Sequence, residues 1–204
     1  SLVLSLIGGA LGVALGAAIL RVAPVMIPEG LLPAAVVLSF DMRVLAYDPY
    51  LTEAEFQERG ATQVDLDTLL AQSDFVTVHC PYNAETKGMI GQRELALMPR
   101  DAFLITTARG GIVEEGALAA ALETRQIAGA GVDVWNVEPP PLEHPLLTFD
   151  NVIATYHTAG VTVDSRHLMA QWNAEQLVHI FQGKRPPRLV NPEAWEGFTP
   201  RFTQ

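Results

Sequence analysis

Ala102-Phe-Leu-Ile-Thr-Thr-Ala-Arg-Gly-Gly111 decides the fold: an apolar run of strand length, Ala102–Thr107, delivers an arginine into a double glycine. The same plan recurs twice downstream. Ala128–Val134 leads to Val137-Glu138-Pro139-Pro-Pro, and Val152–Ala154 leads to Tyr156-His157-Thr-Ala-Gly160. Residues just beyond the carboxyl ends of neighbouring parallel strands converge on one crevice, where ligands bind. Arg109, Glu138 and His157 are therefore expected together. A guanidinium grips a carboxylate bidentately, an imidazole moves a proton near neutral pH, and a carboxylate can hold and tune that imidazole. The set suits oxidation of an alcohol that carries its own carboxylate.

Working outward, strand and helix signals alternate. Phe75–His79 reads as a strand closed by Pro81, and Arg43–Tyr47 as one ending at Asp48-Pro49-Tyr50. Thr52–Arg59 is a short helix stopped at Gly60, and Leu66–Gln72 is another with Asp65 as N-cap. Gln92–Met98 is ended by Pro99, and Glu114–Thr124 has Glu114 and Glu115 in its first turn, where negative charge is favourable. A last helix, about Asp164–Gln182, places Met169, Trp172, Leu177, Ile180 and Phe181 near one face before Gly183 and Pro186-Pro187 end it. Such alternation predicts an α/β fold, a Rossmann-type doubly wound parallel sheet with helices on both faces. Asp48, at the tip of the second strand, is placed to accept from adenosine ribose hydroxyls and to repel a 2′-phosphate, which favours NAD over NADP. The plain alternative is a turn aspartate before proline.

The front of the chain is different. The only charged residues among 1–40 are Arg21 and Glu29, and Gly8, Gly12 and Gly16 recur at four-residue spacing. One reading is a strand at about Leu2–Ile7, then a pyrophosphate turn at Gly8, Gly9 and Gly12, then a helix. The turn is one residue short of G-x-G-x-x-G, and Asp48 lies 40 positions after Gly8, against roughly 20 in that fingerprint. A second reading is a membrane helix over Ser1–Leu20, similar to a transporter permease segment, with Gly-x-x-x-Gly as a packing face. A third is an apolar helix buried against the rest. The expected organisation is an irregular apolar segment 1–40, a dinucleotide-binding domain 41–192 and a tail 193–204.

Composition bounds the rest. The 204 residues are 49% apolar and 18% charged, which excludes global disorder, and a net charge of −10 argues against nucleic acid. Cys80 is the only cysteine, which excludes an internal disulfide and fits a reducing cytosol. No histidine–carboxylate cluster has metal-ligand spacing, so no metal is expected. Taken singly, Arg109 also reads as a surface arginine, Glu138 as a loop carboxylate and His157 as a structural histidine. His79 ends a strand near the crevice, whereas His144, His167 and His179 read as loop or helix-surface residues.

Residues 41–192 resemble the NAD-binding domain of the D-isomer-specific 2-hydroxyacid dehydrogenases, the phosphoglycerate dehydrogenase type in particular. The blocks that carry the resemblance are Tyr47-Asp48-Pro49; Ser73 through Pro81 with Thr86 and Gly91; Thr107 through Gly111; Gly131 through Trp135 leading to Glu138-Pro139; and His157 through Gly160. The resemblance implies that Arg109 holds the substrate carboxylate, that His157 exchanges the hydroxyl proton and that Glu138 pairs with His157. It also implies that Asp133 binds the nicotinamide carboxamide, and that Cys80, Pro81, Thr107 and Ala108 flank NAD. Thr106 stands where the family usually has asparagine, and Tyr156 where it usually has proline. The family's substrate domain, which precedes the glycine turn, is expected to be missing from these 204 residues. The expected protein is an NAD-dependent oxidoreductase domain for small D-2-hydroxy or 2-keto acids, cytoplasmic and homodimeric. The alternatives are an NAD-binding, corepressor-like regulatory module, an inactive remnant, or attachment to a membrane through residues 1–20.

Overall fold

The computed structural model describes the backbone of residues 3–7 and residues 42–198 in full. Among the described residues, seven strands form: β1 (Val3–Ile7), β2 (Arg43–Tyr47), β3 (Thr62–Gln63), β4 (Phe75–Val78), β5 (Phe103–Thr106), β6 (Gly129–Val132) and β7 (Val152–Ala154). Five α-helices accompany them among the described residues: α1 (Glu53–Glu58), α2 (Leu66–Gln72), α3 (Gln92–Leu97), α4 (Glu115–Glu123) and α5 (Val163–Phe181). The strands form one sheet in the order β3-β2-β1-β4-β5-β6-β7, which is the doubly wound order with one strand added. Pairing is parallel from β4 through β7 and between β2 and β3.

The central strand departs from expectation. β1 runs antiparallel to both neighbours, with Val3 opposite Tyr47 and Val78, and Ile7 opposite Arg43. Since β2 and β4 both oppose it, they run parallel to each other. The parallel strand expected over Leu2–Ile7 is therefore corrected in direction: Ile7 ends where β2 begins, away from the tips of β2 and β4. A short run of apolar residues carries no directional signal, because either orientation satisfies its backbone groups. Gly8, Gly9 and Gly12 lie outside the described residues, as does the rest of the segment 8–41. Among the described residues, no helix is long and apolar enough to cross a membrane.

Two compact units divide the chain at His157. In the first, alternate residues of each strand point to opposite faces. Val76 and Val78 of β4, Leu104 of β5, and Ala130 and Val132 of β6 meet Leu69 and Leu70 of α2, Leu95 of α3, and Leu118 and Leu122 of α4. Burying each large aliphatic side chain here contributes about 1.5–3 kcal/mol relative to exposure. Ala46 instead meets Phe56 of α1 and Ala61, so helices flank both faces. The helix starts follow their sequence signals: Asp65 accepts from the Thr68 N–H at 2.8 Å, and Thr52 and Glu55 form a capping box on α1.

In the second unit, Thr162 caps α5 by accepting from the Ser165 N–H at 3.0 Å. Arg188 pairs with Glu175 at 2.6 Å and lies 4.6 Å over the Trp172 ring. None of the α5 residues is buried, and Met169, Leu177 and Phe181 are exposed.

Candidate active site

The tips of β5, β6 and β7 carry the groups expected of them, and local packing explains how each is aimed. After β5 the chain passes Thr107 and Ala108, both half-buried, into Arg109. The Arg109 guanidinium is exposed and donates through Nη1 to the Ala108 carbonyl at 2.6 Å. Gly110 then lies so close to the next loop that a Cβ there would sit 2.0 Å from the Trp135 carbonyl oxygen. Gly111 adopts φ +82°, a conformation that favours glycine. On its other side the arginine loop is laced to the loop after β4: the Gly88 N–H donates to the Gly111 carbonyl at 2.8 Å, and the Ile90 N–H to the Ile112 carbonyl at 3.1 Å.

After β6, Asp133 and Trp135 are buried and the chain turns out to Glu138. The Trp135 N–H donates to Glu138 Oε1 at 3.1 Å. Asp133 accepts from the Thr155 hydroxyl, and its carbonyl accepts the His157 N–H at 2.6 Å. That bond accompanies an uncommon backbone, His157 at φ +60°. Non-glycine residues adopt this region rarely, and such strain gathers at functional sites.

The decisive contact joins two of these tips. His157 Nδ1 lies 2.9 Å from Glu138 Oε2, with both side chains partly exposed. An ionised carboxylate only accepts, so Nδ1 carries the proton and the neutral ring presents Nε2 as an acceptor. The hydrogen bond with His157 holds the Glu138 carboxyl below the usual carboxylate range. The Trp135 N–H and the charges of His157 and Arg109 act in the same direction, against partial desolvation. The structure thus brings Glu138 and His157 into contact and puts Arg109 within electrostatic reach of the carboxylate.

Asp48 is buried at the tip of β2 and accepts the Tyr50 N–H at 2.9 Å. Beside it, a cavity of about 310 Å³ opens between Tyr47, Pro49 and Tyr50 on one side and Cys80, Thr86 and Met89 on the other. Its size and mixed lining suit the adenosine end of a dinucleotide. The Tyr50 hydroxyl donates to Glu85, which pushes the Tyr50 phenol up from its ordinary value. Cys80 lines this cavity, and burial pushes its thiol up, so it is a packed thiol rather than a reactive one. Pro81 follows it, exposed. Among the described residues, no three His, Cys, Asp or Glu side chains gather as a metal set.

The structure also brings together a second imidazole–carboxylate pair that no sequence pattern predicts. His144 Nε2 lies 3.2 Å from Glu115 Oε2, both largely buried. The spacing of 29 residues hides the pair in the sequence; the available signal was a first-turn glutamate on a helix that starts just beyond the arginine loop.

Comparison with known proteins agrees with this architecture. The family described as "D-isomer specific 2-hydroxyacid dehydrogenase, NAD binding domain" matches residues 30–159. A glyoxylate reductase of Korarchaeum cryptofilum is 42% identical over 163 residues, covering 80% of this chain and 49% of its own length. A D-3-phosphoglycerate dehydrogenase of Archaeoglobus fulgidus is 39% identical over 153 residues, covering 75% of this chain and 29% of its own. The solved NAD complex of a D-isomer specific 2-hydroxyacid dehydrogenase from Lactobacillus delbrueckii ssp. bulgaricus superposes with a TM-score of 0.69 at 33% identity, covering 77% of this chain and 51% of that one. The chain spans about half the length, or less, of these relatives. With a family match over residues 30–159 and a Rossmann-type sheet shared with solved relatives, the chain belongs to the D-isomer-specific 2-hydroxyacid dehydrogenase family, as an NAD-binding domain.

Proposed function

We propose that the chain is the NAD-binding portion of an oxidoreductase acting on small D-2-hydroxy acids and the corresponding 2-keto acids. The observation that carries the proposal is the Glu138–His157 hydrogen bond at adjacent strand tips, with the Arg109 charge acting on the same carboxylate. NAD, the cofactor of this domain family, supplies hydride transfer at nicotinamide C4. The chain's own groups do the rest. Arg109 pairs with the substrate carboxylate and orients the carbon bearing the oxygen. His157 Nε2 takes the hydroxyl proton during oxidation and returns it during reduction, while Glu138 fixes the ring by its Nδ1–H and stabilises the imidazolium that forms. Asp133 would hold the carboxamide, Thr107 and Ala108 would flank the ring, and Cys80 and Pro81 would border the cofactor near the adenosine. Asp48 meets the ribose hydroxyls.

The proposal rests on β2 and β4 through β7; because β1 ends beside Arg43, nothing is assigned to Gly8, Gly9 and Gly12. The organisation proposed is a dinucleotide-binding domain over residues 41–192 with a tail 193–204, the segment 1–40 supplying β1 to its sheet. We read the protein as cytoplasmic, in keeping with the free thiol of Cys80, and as a homodimer, which sedimentation velocity would read directly. Calorimetric titration with NADH, run beside NADH oxidation with glyoxylate and hydroxypyruvate, tests the function. NADH binding supports it, turnover by a fusion to a substrate half separates it from a regulatory module, and absence of binding refutes it.

A further inference from the structure

We propose that Glu115, through His144 and the Asn136 amide, is a positioning residue that holds Glu138 against His157. The inference rests on the functional reading above and extends it to a carboxylate that touches none of the three strand-tip groups.

Glu115 opens α4, the helix that follows the arginine loop, and its two carboxylate oxygens are used separately. Oε1 accepts the Asn136 N–H at 2.7 Å, and Oε2 faces His144 Nε2 at 3.2 Å. These partners bracket the segment that carries Glu138. The two amides at its start go to different carboxylates: Trp135 N–H to Glu138 and Asn136 N–H to Glu115. One helix-borne side chain therefore pins both ends of the glutamate loop. It does so where that loop presses on Gly110, so the positions of Arg109 and Glu138 are set together.

The His144 ring is fixed from its other side. The Leu146 N–H donates to Nδ1 at 3.3 Å, so the proton of the neutral ring sits on Nε2 and points at Glu115. The ring also packs edge-on to Trp135, with centroids 5.1 Å apart. The Trp135 indole N–H in turn donates to the Thr155 carbonyl at 2.7 Å, two residues before His157. The buried pair thus supports both members of the exposed one.

A glutamine at position 115 has one acceptor oxygen and one amide nitrogen, whereas Asn136 and His144 both present N–H groups. It can satisfy only one of them, at nearly unchanged volume. The groups acting on the Glu138 carboxyl are His157 and the Trp135 N–H, with Arg109 beyond. Losing the negative charge of Glu115 would by itself lower the Glu138 pKa, since a like charge has gone. Losing the positioning would raise it, since the His157 hydrogen bond loosens. The sign separates the two effects.

The test is a carboxyl ¹³C NMR titration of Glu138 in the unsubstituted chain and in E115Q, H144F and H157A, with thermal melts alongside. H157A should move the midpoint upward; if it does not, the Glu138–His157 reading fails and the present inference falls with it. Given that shift, E115Q should also move the midpoint upward, by part of the H157A effect. A downward or absent shift in E115Q overturns the positioning role, even if the melt falls. H144F keeps the ring against Trp135 and drops the Nε2–H donor. Should E115Q not fold, H144F decides: an upward shift supports the inference, and an unchanged midpoint overturns it.

Discussion

Replacing Gly110 by alanine tests the close approach on which the placement of Arg109 depends. The added Cβ would lie 2.0 Å from the Trp135 carbonyl oxygen, 2.3 Å from its carbonyl carbon and 2.8 Å from the Asn136 nitrogen. All three are backbone atoms, so no flexible side chain can yield. Ordinary contact begins at 3.4 Å, so restoring it needs at least about 1.4 Å of separation between the two loops. Overpacking of this kind costs about 1–3 kcal/mol, and the backbone nature of the obstacle argues for the upper end, about 3 kcal/mol. Gly110 has no positive φ, so backbone strain adds nothing and the effect is steric. With a urea dependence of about 2 kcal/mol per molar, the unfolding midpoint should fall by about 1.5 M. Gly116 is the control: a Cβ there meets nothing within 4 Å, and G116A should gain a few tenths of a kcal/mol from helix propensity. Trp135 fluorescence in a W172F/W195F background reports the first unit alone. A G110A midpoint within about 0.3 M of the parent would refute the close-contact argument.

Two further outcomes follow from the same region. The Thr106 hydroxyl is buried with no hydrogen-bond partner among the described residues; leaving a hydroxyl so costs about 1–3 kcal/mol. T106V should therefore raise the melting temperature by about 2–4 °C, and a fall would show that the hydroxyl is partnered after all. Acid should weaken the Glu138–His157 pair. The folded Glu138 pKa is depressed, first by the His157 hydrogen bond. Its contribution is present above the unfolded value of about 4.3 and is lost as pH falls through the lower folded value. Melting curves from pH 7 down to pH 3 should lose less stability in E138Q than in the parent, and equal losses would count against the pairing.

The legibility of the chain varies with how local its signals are. Leu66–Gln72 and Val152–Ala154 have the expected bounds, and Asp65 caps as expected. In each case the boundary is written in adjacent residues. β3, only Thr62–Gln63, has no apolar pattern and owes its existence to its neighbour. The direction of β1 was illegible for the same physical reason that made its existence legible: a uniform apolar run marks burial but not polarity. On α5 the apolar stripe was legible, yet no residue there is buried, because a stripe states a preference and not a partner. His144 is the instructive miss. It does lie in a loop, but its pairing with Glu115 depends on how two segments cross, which no local pattern reveals.

Under the proposed function, His157 moves the substrate proton while Arg109 holds its carboxylate. The direct measurement is glyoxylate reduction by this chain fused to the remaining half of the Korarchaeum cryptofilum glyoxylate reductase, with H157A and R109A compared under saturating NADH. H157A should lower kcat by on the order of 10²–10⁴ with NADH affinity unchanged, and R109A should raise KM for glyoxylate. An H157A protein that turns over as fast as its parent would contradict the proton-transfer role.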